Sequence, residues 1–137
     1  MSLNNEERKA EVDFRIDKAL RAYEQAKGVL PLEYWETAAN RLYYAAYNAI
    51  SAMLIANGDT AQSHNGVIHI FGLKFIKTGI FETSEGALYH KLFSMRLTGD
   101  YDDTYGLSEE DVLPLVEPAG KLIEHAISYA KTLLENK

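Results

Sequence analysis

At 137 residues, with 47% apolar and 25% charged, the chain is long enough to bury one core, too short for two, and too apolar to stay disordered. It holds no cysteine, which excludes disulfides and thiolate metal sites and suits a reducing cytoplasm. Its formal net charge of −6 excludes a whole-surface basic field for duplex DNA, but a local basic pocket for a nucleotide or short RNA needs only a few cations.

In chain order, residues 1–13 are polar and charged, so no secretory signal is expected. Val12, Ile16, Ala19, Leu20, Tyr23 and Leu30 recur at three- and four-residue spacing and predict a first helix over about 5–28, ended by Gly28 and Pro31. A second helix is expected over about 32–57, with Gly58 in the left-handed position that glycine adopts cheaply. Asn40, Arg41 and Asn48 interrupt its apolar run, which argues against a membrane span. Ser63 suits the N-cap of a third helix over about 65–77, ending at Gly79. Thr83 or Ser84 starts a fourth, running to about Thr98. Ser108 with Asp111 resembles a capping box, and the stripe from Val112 to Leu134 predicts a long last helix. Pro114 is tolerable near its first turn, whereas Pro118 should kink it or delay its regular part. The expected architecture is an all-α, up-and-down bundle of about five helices in a single domain over 1–137.

The second helix is apolar around most of its circumference. That suits a central core helix, or a core helix that also lines a homodimer interface. Against this background Asn40, Arg41, Tyr44 and Asn48 share one polar stripe. A buried arginine must be paired, so Arg41 either meets a carboxylate of the fold or points into a cleft.

The segment Met95-Arg96-Leu97-Thr98-Gly99-Asp100-Tyr101-Asp102-Asp103 combines a cation, a helix break and clustered titratable groups. A guanidinium fixed there can hold a carboxylate or a phosphate in a fork. Arg96 can therefore pair with Asp100 or Asp102 and lock the loop, hold a ligand phosphate, or take direct part in catalysis. His64, beside its N-cap serine, is the candidate general base if the third helix begins near Arg96; otherwise it caps or faces solvent. His69, His90 and His125 lack partners at metal-ligand spacing, so no metal or cofactor is expected.

Three segments in order resemble the HEPN family (higher eukaryotes and prokaryotes nucleotide-binding domain). They are Ala39-Asn40-Arg41-Leu42-Tyr43-Tyr44-Ala45-Ala46-Tyr47-Asn48-Ala49; Ser63-His64-Asn65-Gly66-Val67-Ile68 with Phe75 to Gly79; and Leu92-Phe93-Ser94-Met95-Arg96 through Asp100-Tyr101-Asp102. The resemblance covers about residues 8–135 and implies a helical bundle, commonly dimeric. Many HEPN proteins are metal-independent ribonucleases with an arginine followed four to six residues later by a histidine. Arg96 matches the arginine, but the histidine window holds Tyr101, Asp102 and Asp103, so the reading leans away from an enzyme.

The resemblance implies the non-transferase component of a HEPN/nucleotidyltransferase, toxin–antitoxin-like module that binds a nucleotide, RNA or partner protein. In it Arg41, Tyr44, Asn48, Arg96 and Tyr101 line the ligand site, and Tyr101 or Tyr105 is a candidate acceptor for nucleotidylation by the partner. The alternatives are a metal-independent endoribonuclease using Arg96 with Asp102 or His64, and a ligand-free helical scaffold in which Arg41 and Arg96 are internal ion pairs.

Overall fold

The computed structural model describes residues 3–101 and 106–136, with residues 98–101 described by backbone alone. Five α-helices occur among them: α1 Asn5–Val29, α2 Trp35–Ala56, α3 His64–Phe71, α4 Thr83–Tyr101 and α5 Glu109–Glu135. The long helices run up and down, and α3 with a one-turn π segment, Gly72–Ile76, crosses between α2 and α4. This is the all-α bundle the spacing predicts.

Local signals set the helix ends. Asn4 and Glu7 exchange side chain-to-backbone hydrogen bonds at α1, and Ser63 Oγ accepts the Gly66 N–H at α3. The Asp111 carboxylate accepts from the backbone N–H and hydroxyl of Ser108 at α5. Gly58 and Gly79 adopt φ of 86° and 84°, which let the chain leave α2 and the π segment.

Five details differ from expectation, the first at α4: it does not stop near Thr98 but runs through Gly99 to Tyr101, so the helix continues past Arg96 where a break was expected. Gly28 continues α1, and Pro31 instead sits in a 3-10 turn, Leu30–Leu32, so α2 begins at Trp35. The third helix divides at Phe71, where the π segment takes over. On α1, Leu20 is exposed while Ala22 and Ala26 are buried, because small residues let α1 approach α2 closely. Finally α5 is helical from Glu109 through both prolines, so Pro118 does not delay its regular part. Beside Pro118, the Val116 carbonyl accepts a hydrogen bond from the Tyr23 hydroxyl at 2.9 Å. Gly120 makes room for that ring, since a Cβ there would lie 2.9 Å from Tyr23 Cζ.

The core is organised around α2, which packs chiefly against α1 and α5 and also against α4 and α3. Leu42, Tyr43, Ala45, Ala46, Ala49, Ile50, Ala52 and Met53 are fully buried. The large apolar circumference of α2 is thus used inside the chain's own core. Its larger apolar side chains contribute about 1.5–3 kcal/mol each through burial, and its alanines allow the close approach.

Candidate functional site

Where α2 faces α1, its polar stripe opens a cleft. Arg41 Nε and Nη2 donate to Asn40 Oδ1 at 3.1 and 2.8 Å, and Nη1 donates to Gln25 Oε1 at 3.2 Å. Its Cζ lies 5.3 Å from the centroid of the Tyr44 ring. Every one of these partners is neutral, and among the described residues Arg41 meets no carboxylate. Of the two sequence readings, Arg41 follows the cleft. Asn48 is buried beneath it; its Nδ2 donates to the Tyr44 carbonyl at 2.9 Å and its Oδ1 accepts from Arg15 Nη1 at 3.0 Å. Both ends of that amide are occupied by protein, so Asn48 holds Tyr44 in place.

From the other side α4 delivers Arg96. Its Nη2 donates to the Tyr44 hydroxyl at 3.2 Å, and its Cζ lies 5.6 Å from the Tyr44 centroid and 5.8 Å from that of Tyr43. Two guanidiniums therefore converge on one tyrosine ring.

The start of α3 brings His64 to the same place. Its Nδ1 shares a 2.5 Å hydrogen bond with the Tyr43 hydroxyl, and its ring stands 4.6 Å from Tyr47 and 5.8 Å from Tyr44. The Tyr43 ring itself is fully buried and stacked on Tyr89 at 5.9 Å. Burial pushes the Tyr43 phenol up to about 12, so it stays protonated at neutral pH. Burial first, and the charge of Arg96 second, lower the pKa of His64 below the ordinary 6.5. The imidazole is therefore neutral at pH 7. In one tautomer the Tyr43 O–H donates to Nδ1 and Nε2–H is a donor for a phosphate oxygen; in the other Nδ1–H donates to Tyr43 and Nε2 is a free base.

This depression has a measurable consequence. Between the lowered folded value and 6.5 the unfolded chain binds a proton that the folded chain does not, so His64 withdraws stability as pH falls through 6.5. Urea midpoints from pH 8 to pH 5 should fall less steeply in His64→Gln than in the parent. Parallel profiles would remove this account of His64.

Asp102, Asp103 and Tyr105 lie outside the described residues, as do the side chains of Asp100 and Tyr101. Among the described residues no group of three or more histidine, aspartate or glutamate side chains is placed to hold a metal ion, and no helix is long and apolar enough to cross a membrane.

Sequence reasoning missed two features that only packing creates. His125 Nδ1 meets Glu85 Oε2 at 2.7 Å, tying α5 to α4 while its ring stacks on Phe81 at 3.8 Å. Lys18 and Arg21 of α1 join Gln25, Arg41, Tyr44 and Asn48 around a cleft of about 330 Å³. Their three-residue spacing puts both cations on one helix face, but nothing local says that this face meets Arg41. A larger cavity of about 600 Å³ lies at the other end of α2, beside Ser51 and Ile55. The cations of that cavity are already in use: Arg8 donates to the Ile55 and Leu3 carbonyls, and Arg15 to Asn48.

Comparison with known proteins places this geometry in context. The family description "HEPN domain" matches residues 12–135. A "UPF0332 protein" from Thermotoga maritima is 34% identical over 108 residues, covering 79% of this chain and 82% of that one. "Putative toxin MJ0605" from Methanocaldococcus jannaschii is 26% identical and covers 97% of this chain and 98% of its own length. "Putative toxin MJ0142" from the same organism is 27% identical, over 75% of this chain and 70% of its own. The crystal structure of TT1696 from Thermus thermophilus shares the fold with a TM-score of 0.67, at 15% identity, covering 89% of this chain and 97% of that one.

Proposed function

This chain belongs to the HEPN domain family, and on that premise we propose that it is the toxin-type, non-transferase component of a two-protein module that binds a nucleotide or RNA phosphate. The observation that carries the reading is the pair of guanidiniums, Arg41 and Arg96, set within about 6 Å of the Tyr44 ring, with Arg41 held only by neutral amides. A phosphate beside Arg41 would meet donors and positive charge without displacing a carboxylate. The names of two relatives support the toxin assignment. The partners in this reading, a second copy of the chain and a nucleotidyltransferase, rest on the family resemblance, as does nucleotidylation of Tyr101 or Tyr105. Calorimetric titration of the purified chain with adenosine nucleotides and a short oligoribonucleotide tests the binding. No heat change for any of them at millimolar concentration would sink it.

A second reading has one specific observation in its favour. His64, neutral at pH 7, stands on the same aromatic cluster as Arg96 although it is remote in sequence. The cluster thereby holds an arginine for a phosphate and an imidazole for a proton, the division of labour of a metal-independent endoribonuclease. Here the imidazole comes from α3 and not from the window after Arg96.

A further inference from the structure

We propose that Lys18 and Arg21 form a second phosphate subsite beside Arg41, so that the cleft selects ligands with two or more linked phosphates over a single one. The inference rests on the phosphate-binding reading above and adds to it the number of phosphates read. Among the described residues three cations line the cleft, Lys18 and Arg21 from α1 and Arg41 from α2, and no carboxylate does. Among the described residues none of the three forms an ion pair, in a chain whose other exposed cations often do: Lys9 with Asp13, Lys27 with Glu24, Lys121 with Glu117. The acidic neighbours of this pair in sequence, Asp17 and Glu24, do not reach the cleft. The ammonium of Lys18 lies 5.2 Å from the Phe14 ring, an exposed aromatic on the same flank of α1.

Charge makes the distinction between one phosphate and several. A net charge of −6 repels any polyanion from the protein as a whole, so a ligand of higher charge needs a local field stronger than Arg41 alone supplies. Arg96 and Arg41 share the Tyr44 ring, and Lys18 and Arg21 of α1 line the cleft with Arg41, a cleft that Arg96 does not line. A first phosphate on the tyrosine ring therefore places a linked second one towards α1. The phosphates can belong to an anhydride chain or to a diester strand, and the chemistry of recognition is the same for both.

The test compares the parent with Lys18→Ala/Arg21→Ala and Lys18→Gln/Arg21→Gln. Each is titrated with adenosine monophosphate, adenosine triphosphate and a hexauridine oligonucleotide, and matched thermal midpoints verify folding. Both side chains are exposed, so the fold should hold. Either double variant should bind the triphosphate, the oligonucleotide or both at least 10-fold more weakly, with the monophosphate changed by less than about 2-fold. Loss for the triphosphate alone identifies an anhydride chain, and loss for the oligonucleotide alone a diester strand. For the strand, the slope of log affinity against log salt should fall by about 1.4, roughly 0.7 for each cation removed. Equal loss for monophosphate and polyphosphates would reduce the pair to a diffuse field and overturn the subsite, as would no loss at all. A parent that binds none of the three ligands overturns the cleft reading together with the subsite. A parent whose binding depends on Arg41 but shows no preference among them overturns the subsite alone.

Discussion

Arg96→Ala should weaken binding of adenosine nucleotides or a short oligoribonucleotide by roughly 10- to 100-fold, the worth of one charge-assisted hydrogen bond in a half-buried site. Arg96 reaches Tyr44 Oη at 3.2 Å while its Cζ stands within 6 Å of two tyrosine rings, so its guanidinium is both held and stacked. Lysine at the same position keeps the charge but loses the fork and the planar stacking, and Arg96→Lys should recover only a small part of the loss. The readout is calorimetric affinity at one fixed salt concentration. If Arg96→Ala binds as tightly as the parent, Arg96 serves the fold and the ligand lies wholly with Arg41. The same variant decides the ribonuclease reading, since RNA cleavage that survives EDTA must disappear in both Arg96→Ala and His64→Gln.

The largest effect on stability belongs to α2. Leu42→Ala removes a fully buried side chain from the helix that four others pack around, and it should cost about 2–5 kcal/mol. Against a total of about 5–15 kcal/mol for a domain of this kind, that is a large fraction of the whole. Leu113→Ala on α5 is the control: Leu113 is 45% exposed and its truncation should stay within about 0.5 kcal/mol. Urea unfolding followed by circular dichroism compares them directly. Equal midpoints for the two variants would mean that α2 is not the centre of the core.

The site lies between these two cases, because its residues are partly core. Tyr43 is legible in the sequence only as one more aromatic on an over-apolar helix. In the fold its ring is fully buried while its hydroxyl orients His64. Arg41 and Tyr44 are legible as a polar stripe, since residues three apart on a helix must share a face. What the stripe faces is not a local property.

The sequence by itself determined the helices and those of their ends that local caps and turns set. Apolar spacing near 3.6, the caps at Ser63 and Ser108 and the glycines at 58 and 79 act within a few residues, so they can be read without neighbours. It also determined that Arg41 and Arg96 are the cations to watch. Only the tertiary structure decided that they meet at Tyr44, that His64 joins them from α3, that Lys18 and Arg21 line a cleft with Arg41, and that His125 finds Glu85. These pairs lie on different helices, and helix-to-helix packing fixes them through the shapes of many side chains at once. Local spacing carries no record of that sum.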